Sequence, residues 1–324
     1  VRNNRILVVY NMCGIRRENI GFYKLAINSV LEQNFEGMQI VLSMYKSSVH
    51  CKKELAKEFG NKISYVFYDH TDMLGVNATF NKTVRICVEK YGDFDGYLYL
   101  DSGIILTDFT SDEHTKIIQK SYDAFMSGPY SMISLQVDDD SGFHHLGMKN
   151  TSTVSQVSGE HYVIPLGKAV NLHSQIFSHE IYETFEGKIL PDVFAAYCSE
   201  SVLSFFNSCI HKKWILMKDV VVRHLPSLEG SSASFLHQSP KHDNPWNNLL
   251  HDRDALDFIN DDGAINAGLG YEECNGIMMH KEDAYDENGN SLDPKELKKY
   301  IKKYFFLSKQ ELDYNDVEYN AIFR

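Results

Sequence analysis

Tyr97-Leu98-Tyr99-Leu100-Asp101-Ser102-Gly103-Ile104-Ile105-Leu106 is the stretch on which the reading of this chain turns. A short run rich in Leu and Tyr, bounded by turn residues, is the pattern of a central strand with both faces covered. Here it runs into one carboxylate and a glycine, then continues as apolar chain. A carboxylate at the C-terminal end of such a strand stands in the crevice where open α/β sheets bind ligands. On residue types alone, a strand whose next loop opens with Asp is the commoner arrangement, so the weight falls on the surrounding chain.

Upstream, Arg5-Ile6-Leu7-Val8-Val9-Tyr10 is a compact apolar run that predicts a first strand. Phe22 to Gln33 carries Phe22, Leu25, Ala26, Val30 and Leu31 at helical spacing. Gln39 to Met44 predicts a second strand, Lys52 to Phe59 a charged amphipathic helix, and Ile63 to Phe67 a third strand. Gly75 to Glu89 follows as a helix, with Val76, Phe80, Val84 and Val88 at i, i+4 steps. Strand and helix in alternation is the pattern of right-handed βαβ units that build a parallel sheet. No G-x-G-x-x-G follows the first strand and no G-x-x-x-x-G-K-[ST] occurs, which argues against a dinucleotide dehydrogenase or a P-loop enzyme.

Downstream, Ser131 to Val137 predicts another strand, followed by the acidic run Asp138-Asp139-Asp140-Ser141-Gly142. Adjacent carboxylates can hold a hard cation, although a solvated turn is the commoner role. The His144-His145 pair reads more often as solvent-exposed than as a substrate contact. His161 to Leu166 predicts a short strand, and Asn171 to Phe185 a helix. Val193 to Ile210 reads as a buried helix in which Glu200 is the only charge after Asp192. A carboxylate in apolar surroundings must be paired or have a raised pKa, which suits proton transfer. Trp214 to Met217 and Val220 to Val222 close the sheet and end in Arg223-His224, where a neutral imidazole can ligate a metal. From Pro226 the chain turns rich in Ser, His, Asn and Pro, and Pro294 to Tyr304 predicts a basic amphipathic helix behind Asp293.

At 324 residues the chain can hold one large domain with an extension. The net charge of −12 and pI of about 5.6 disfavour a non-specific nucleic-acid or anionic-membrane binder. Six cysteines without a C-x-x-C pair argue against a zinc site or a disulfide framework and fit a reducing compartment. Asn-x-Ser/Thr sequons begin at Asn77, Asn81 and Asn150 and read as chance occurrences. No apolar run approaches membrane-spanning length, so the expectation is a cytoplasmic protein without an integral membrane segment.

The order of these pieces, more than any one of them, resembles a glycosyltransferase of the GT-A fold, nearest to the family-2-like enzymes, over roughly residues 5 to 226. Ser29-Val30-Leu31-Glu32-Gln33 is similar to the first-helix motif of that family, and Gly75 to Asn81 to the glycine and asparagine of the helix before the metal strand. Asp101-Ser102-Gly103 falls where the family has its Asp-x-Asp, and Ser199-Glu200-Ser201-Val202-Leu203 where inverting members have an acidic pair followed by Leu. Val220-Val221-Val222-Arg223-His224 resembles the strand that ends in a metal-binding histidine. The departures are Val9-Tyr10-Asn11 for a Pro-Thr-Tyr-Asn ending, Ser43-Met44-Tyr45 where many members have a uracil-binding aspartate, Gly103 for the last acid of the metal motif, and Ser199 for the first acid of the pair.

The resemblance implies a mixed, mostly parallel Rossmann-like sheet flanked by helices. It implies a catalytic domain over residues 1–226 and an extension over 227–324 that packs on it. The implied activity is transfer of a sugar from a nucleotide sugar, UDP-linked by expectation, to a hydroxyl on a glycan or similar acceptor. Asp101 and His224 would hold Mn²⁺ or Mg²⁺; Asp101, Ser102, Gly103, Asn81 and Tyr10 would meet the donor; Glu200 would be the base of an inverting displacement. Arg16, Arg17, Lys82 and Arg85 are candidate phosphate contacts, although surface charge is the commoner role. Two other readings compete: a GT-A module that binds sugar without catalysis, which Gly103 favours, and a sugar nucleotidyltransferase, for which Asn11 to Arg17 supplies too little glycine and basic charge.

Overall fold

The computed structural model describes residues 4–13, 15, 17, 19–45, 49–68, 75–107, 114–139, 156–158, 161–164, 173–190, 203, 213–224, 271–274, 277–280 and 319–324. Strand β1 (Ile6–Cys13) is apolar on both faces. Ile6, Val8, Tyr10 and Met12 join one core while Leu7 and Val9 alternate to the other side, and all are fully buried. A strand buried on both faces needs a layer above and below, and the chain supplies it by returning through helices. Helix α1 (Ile20–Leu31) leads to β2 (Met38–Tyr45), α2 (Val49–Phe59) to β3 (Ser64–Tyr68), and α3 (Gly75–Tyr91) to β4 (Gly96–Leu100). β1 pairs in parallel with β2 and β4, and β2 with β3. Tyr23, Ala26, Ile27 and Val30 of α1 pack into the β1 core. On the opposite face α3 brings Thr83 to hydrogen bonds with Ser43 and Tyr68, and Phe80 edge-on to Tyr99 at 5.2 Å.

The second half breaks the parallel rule. β5 (Ile104–Ile105), a 3-10 turn (His114–Lys116) and α4 (Ile117–Met126) precede β6 (Tyr130–Asp139), β7 (Gln156–Ser158) and β8 (His161–Val163). β9 (Ser174–Ser178), α5 (His179–Thr184) and β10 (Lys213–His224) follow. The strand order is β13-β3-β2-β1-β4-β9-β6-β10-β8-β7, with β5 attached to β10. β9 runs antiparallel between β4 and β6, and β10 is parallel to β6 and antiparallel to β5 and β8. β1, β2, β3, β4, β6, β7 and β10 thus run one way, and β5, β8, β9 and β13 the other. β11 (Tyr271–Cys274) and β12 (Ile277–His280) form a separate antiparallel pair.

Two expectations are corrected here. Among the described residues of the predicted helix over 171–185, only α5 is helical; Ser174 to Ser178 form a buried strand with partners on both sides. Ladder pairing with β4 along the whole strand and with β6 at Gln175 to Phe177 replaces the local hydrogen bonds of a helix, and the strand buries Ile176 and Phe177 completely. The two predicted closing strands are one, β10, whose register against β6 shifts between Leu216 and Val221. Gln136 fills the irregularity: its Nε2 donates to the carbonyls of Met217 at 2.7 Å and Lys218 at 2.6 Å.

β13 (Tyr319–Ile322) lies antiparallel along β3 and covers that edge of the sheet. The Phe323 ring meets Tyr91 at 5.8 Å, the Arg324 N–H donates to Ser64 Oγ at 2.9 Å, and the Tyr91 hydroxyl donates to the Arg324 carbonyl at 2.7 Å. Truncation after residue 318 is expected to cost about 2 kcal/mol through the lost ladder and side-chain hydrogen bonds. It also bares a hydrogen-bonding edge on β3, so the truncated protein should self-associate. Urea melts and sedimentation velocity check both; a monomer of unchanged midpoint would show that β13 contributes nothing.

Asn77 and Asn81, which open two of the sequons, are buried in α3 and closed to glycosylation in the folded chain. No helix among the described residues is long and apolar enough to cross a membrane.

Candidate functional site

Asp101 follows β4 directly, and two ladders converge on it. The Asp101 N–H donates to the His173 carbonyl at 2.9 Å, which ties the end of β4 to the residue before β9. The Ile104 N–H donates back to the Asp101 carbonyl at 3.1 Å and closes a turn. β5 then pairs Ile104 with His224 and Ile105 with Arg223 at the end of β10. Three residues from distant parts of the chain therefore meet at the C-terminal end of β4. The ligating atoms of Asp101, His173 and His224 all lie within 4.8 Å of one another.

The carboxylate is oriented on both oxygens. Oδ1 accepts the Ser102 N–H at 2.7 Å, and Oδ2 lies 3.3 Å from His173 Nδ1. The two imidazole rings sit 4.5 Å apart, inclined by 31°. Burial is the largest single influence on the Asp101 carboxyl and favours its neutral form. The hydrogen bond and charge of His173, the charge of His224 and the Ser102 N–H together outweigh it and hold the carboxyl below its usual range.

Gly103 is explained by this packing. A Cβ at position 103 would stand 2.6 Å from Cδ2 and 2.8 Å from Nε2 of His224. The glycine is the recess that admits the imidazole. Gly103→Ala is expected to displace His224 and lower affinity for a divalent cation by about tenfold or more, the scale of a disturbed ligand shell. Titration calorimetry with Mn²⁺ checks this, with the far-ultraviolet circular dichroism expected to stay unchanged.

The first-helix motif supports the site from behind. Ser29 Oγ accepts the Leu106 N–H at 3.0 Å and donates to the Ala26 carbonyl at 2.7 Å. Gln33 donates to the carbonyls of Ser29 at 3.1 Å and His114 at 2.8 Å, and its Oε1 accepts the Ile118 N–H at 3.2 Å. The run therefore fastens α1 to the chain leaving the Asp101 turn and to the start of α4.

The other expected residues are placed as follows. Tyr10 is fully buried and its hydroxyl donates to the Ile104 carbonyl; burial, with Tyr23 and Asp101 nearby, keeps the phenol protonated far above its ordinary range. Asn81 is fully buried in α3; its Oδ1 accepts the Ile189 and Leu190 N–H groups at 2.9 Å each, and its Nδ2 donates to the Leu190 carbonyl at 2.7 Å. Both of these expected donor contacts therefore have their polar atoms engaged inside the scaffold. Ser102 is buried beside Asp101. Lys82 is buried with its Nζ 5.1 Å from the centre of the Tyr319 ring, Arg85 pairs with Glu89 at 3.3 Å on the exposed face of α3, and Arg17 is exposed. Asp138 and Asp139 lie in β6, in register with Arg223 and His224. Glu200, Arg16, Asp140 and the His144-His145 pair lie outside the described residues.

His173 is the residue that sequence reasoning missed. The helix expected over 171–185 gave it no role, whereas it precedes a strand inserted between β4 and β6. The signal that was there is a five-residue run, Ser174 to Ser178, with a histidine at each flank and a separate helical pattern behind it.

No protein-family profile and no curated protein sequence matches this chain. Solved structures do match its fold. A mannosyltransferase from Pyrobaculum calidifontis, in complex with GDP-Man and Mn²⁺, superposes with a TM-score of 0.53 at 12% identity, over 81% of this chain and 66% of that one. GalNAc-T7 with UDP, GalNAc and Mn²⁺ gives 0.49 at 12% identity, over 70% of this chain and 44% of that one. Residues 1–349 of TarS from S. aureus give 0.48 at 12% identity, over 68% and 61%. This chain thus spans less than two thirds of the length of each. The chain has the GT-A glycosyltransferase fold.

Proposed function

We propose that this protein is a glycosyltransferase that moves a sugar from a nucleotide sugar, UDP-linked, to a hydroxyl on a glycan or similar acceptor. The observation that carries the reading is the meeting of Asp101 and His224 at the C-terminal end of β4, within a GT-A fold and behind a glycine recess. A carboxylate and imidazoles within reach of one another are a donor set that fits a divalent cation. Asp101 and His224 would hold Mn²⁺ or Mg²⁺, which supplies Lewis-acid neutralisation of the departing diphosphate. Residues 1–226 form the catalytic part in this reading, and 227–324 an extension packed on it.

The chain's own groups prepare the site. His173 and Ser102 hold Asp101 ionised and oriented, and Tyr10, Ser29 and Gln33 fix the backbone of the loop that follows. A carboxylate held in place before the donor arrives needs no reorganisation at the moment of reaction. Glu200 takes the acceptor proton as general base, and a single displacement then inverts the sugar carbon.

The test is cleavage of a panel of nucleotide sugars with Mn²⁺, with Mg²⁺ and with EDTA, beside Asp101→Asn. Metal-dependent release of a nucleoside diphosphate from one donor, lost in the variant, is expected. A donor bound in calorimetry but never cleaved, with any acceptor tried, would favour the sugar-binding module instead. Neither binding nor cleavage of any donor would sink both readings.

A further inference from the structure

We propose that His173 is a metal ligand that replaces the side chain position 103 cannot carry, and that the resulting two-histidine, one-carboxylate site selects a transition metal over Mg²⁺. The inference deepens the proposed function and rests on its assignment of Asp101 and His224 as ligands.

Three observations carry it. Position 103 follows Asp101 on the same turn, but a side chain there would overlap His224 at 2.6 Å, so the Asp101 turn offers a single ligand. His173 reaches the same point from another element. Because β9 is antiparallel to β4, its first residues fall beside the last residues of β4, and the Asp101 N–H to His173 carbonyl bond fixes that approach. Finally, His173 Nδ1 and Asp101 Oδ2 are hydrogen-bonded at a separation of 3.3 Å, at the long end of the usual range. That separation is close to the spacing of about 3 Å between neighbouring ligands, at right angles, on a cation with bonds of about 2.1 Å. The His173 side chain is 17% exposed and that of Asp101 27%, held by packing yet open to an entering ion.

Ligand chemistry then sets the metal. Imidazole nitrogens suit Fe²⁺, Co²⁺ and Zn²⁺; Mn²⁺ binds them least among the transition metals, and Mg²⁺ prefers oxygen and gives up its waters reluctantly. Three protein ligands already gathered within 4.8 Å would also bind a metal before any nucleotide arrives. A site built from Asp101 and His224 alone would need the donor's phosphates to complete it.

The experiment uses the full chain stripped with EDTA, titrated in the absence of donor with Mn²⁺, Co²⁺ and Mg²⁺. Wild type is expected to bind Mn²⁺ at least about tenfold more tightly than Mg²⁺ and to give a Co²⁺ ligand-field spectrum. Equal affinity for Mn²⁺ and Mg²⁺ would overturn the selectivity. His173→Gln keeps a hydrogen-bond donor for Asp101 but removes the imidazole, and should lower Mn²⁺ affinity by about ten- to a hundredfold and shift the Co²⁺ band. His173→Asp guards against a folding defect: an oxygen ligand at the same place should restore metal binding while moving the preference toward Mg²⁺. If His173→Gln keeps both the Mn²⁺ affinity and the Co²⁺ band, His173 only orients Asp101 and the inference fails. The outcomes remain separable from those of the proposed function. A three-ligand metal pattern with no cleavage of any nucleotide sugar would overturn the transferase reading and leave His173 a ligand.

Discussion

Asp101→Asn is expected to lower metal-dependent donor cleavage by about a thousandfold or more while leaving the fold intact. The size follows from the Lewis acid: a cation that stabilises the leaving diphosphate by several kcal/mol corresponds to about a tenfold change in rate per 1.4 kcal/mol. The substitution is nearly isosteric. The amide oxygen still accepts the Ser102 N–H, and the turn closed by Ile104 uses only backbone atoms. What disappears is the negative charge that His173 and His224 help to keep. Steady-state cleavage of the active donor, with thermal melts of both proteins, measures the effect. A variant with more than about a tenth of wild-type activity would remove Asp101 from the chemistry, since the loss would then be worth only about one pKa unit of free energy.

Asn81→Leu is expected to destabilise the protein by about 4 kcal/mol. One fully buried amide side chain answers three backbone groups, the N–H of Ile189 and both the N–H and carbonyl of Leu190. Leucine has nearly the same volume but no polar atoms, so it strands two donors and an acceptor; each buried orphan costs about 1–3 kcal/mol. Local relaxation and entering water keep the total below the simple sum. Urea unfolding at equilibrium checks the value. A loss under about 1 kcal/mol would mean that the 189–190 backbone opens to solvent once the amide is gone. The same anchor precedes the segment that carries Glu200, so this variant should also lose donor cleavage.

These two variants divide the residues of the resemblance by what they do. Asn81 belongs to the helix motif and Ser29 and Gln33 to the first-helix motif, yet all three spend their polar atoms on backbone groups. Sequence similarity reports that a position is constrained. It does not separate a side chain that meets a ligand from one that fastens the loop beside it, because both roles ask for the same hydrogen-bonding residue types.

The sequence by itself determined the parallel half of the sheet. The expected strands and helices from residue 5 to 100 are present, within a few residues at their ends, because each strand buried on both faces must be an apolar run and each covering helix must carry an apolar stripe. It also determined that Asp101 ends the central strand and that His224 ends a later one, both being read from runs only a few residues long. Only the tertiary structure decided the antiparallel insertion of β9, and with it the place of His173. The pairing of Ser174 to Ser178 with β4 and β6 depends on partners more than thirty residues away, and five residues of local sequence cannot encode that. The meaning of Gly103 was decided in the same way. In the sequence it is a missing acid; in the fold it is the space that the His224 ring needs, a distance between residues 103 and 224 that exists only once β5 has paired with β10.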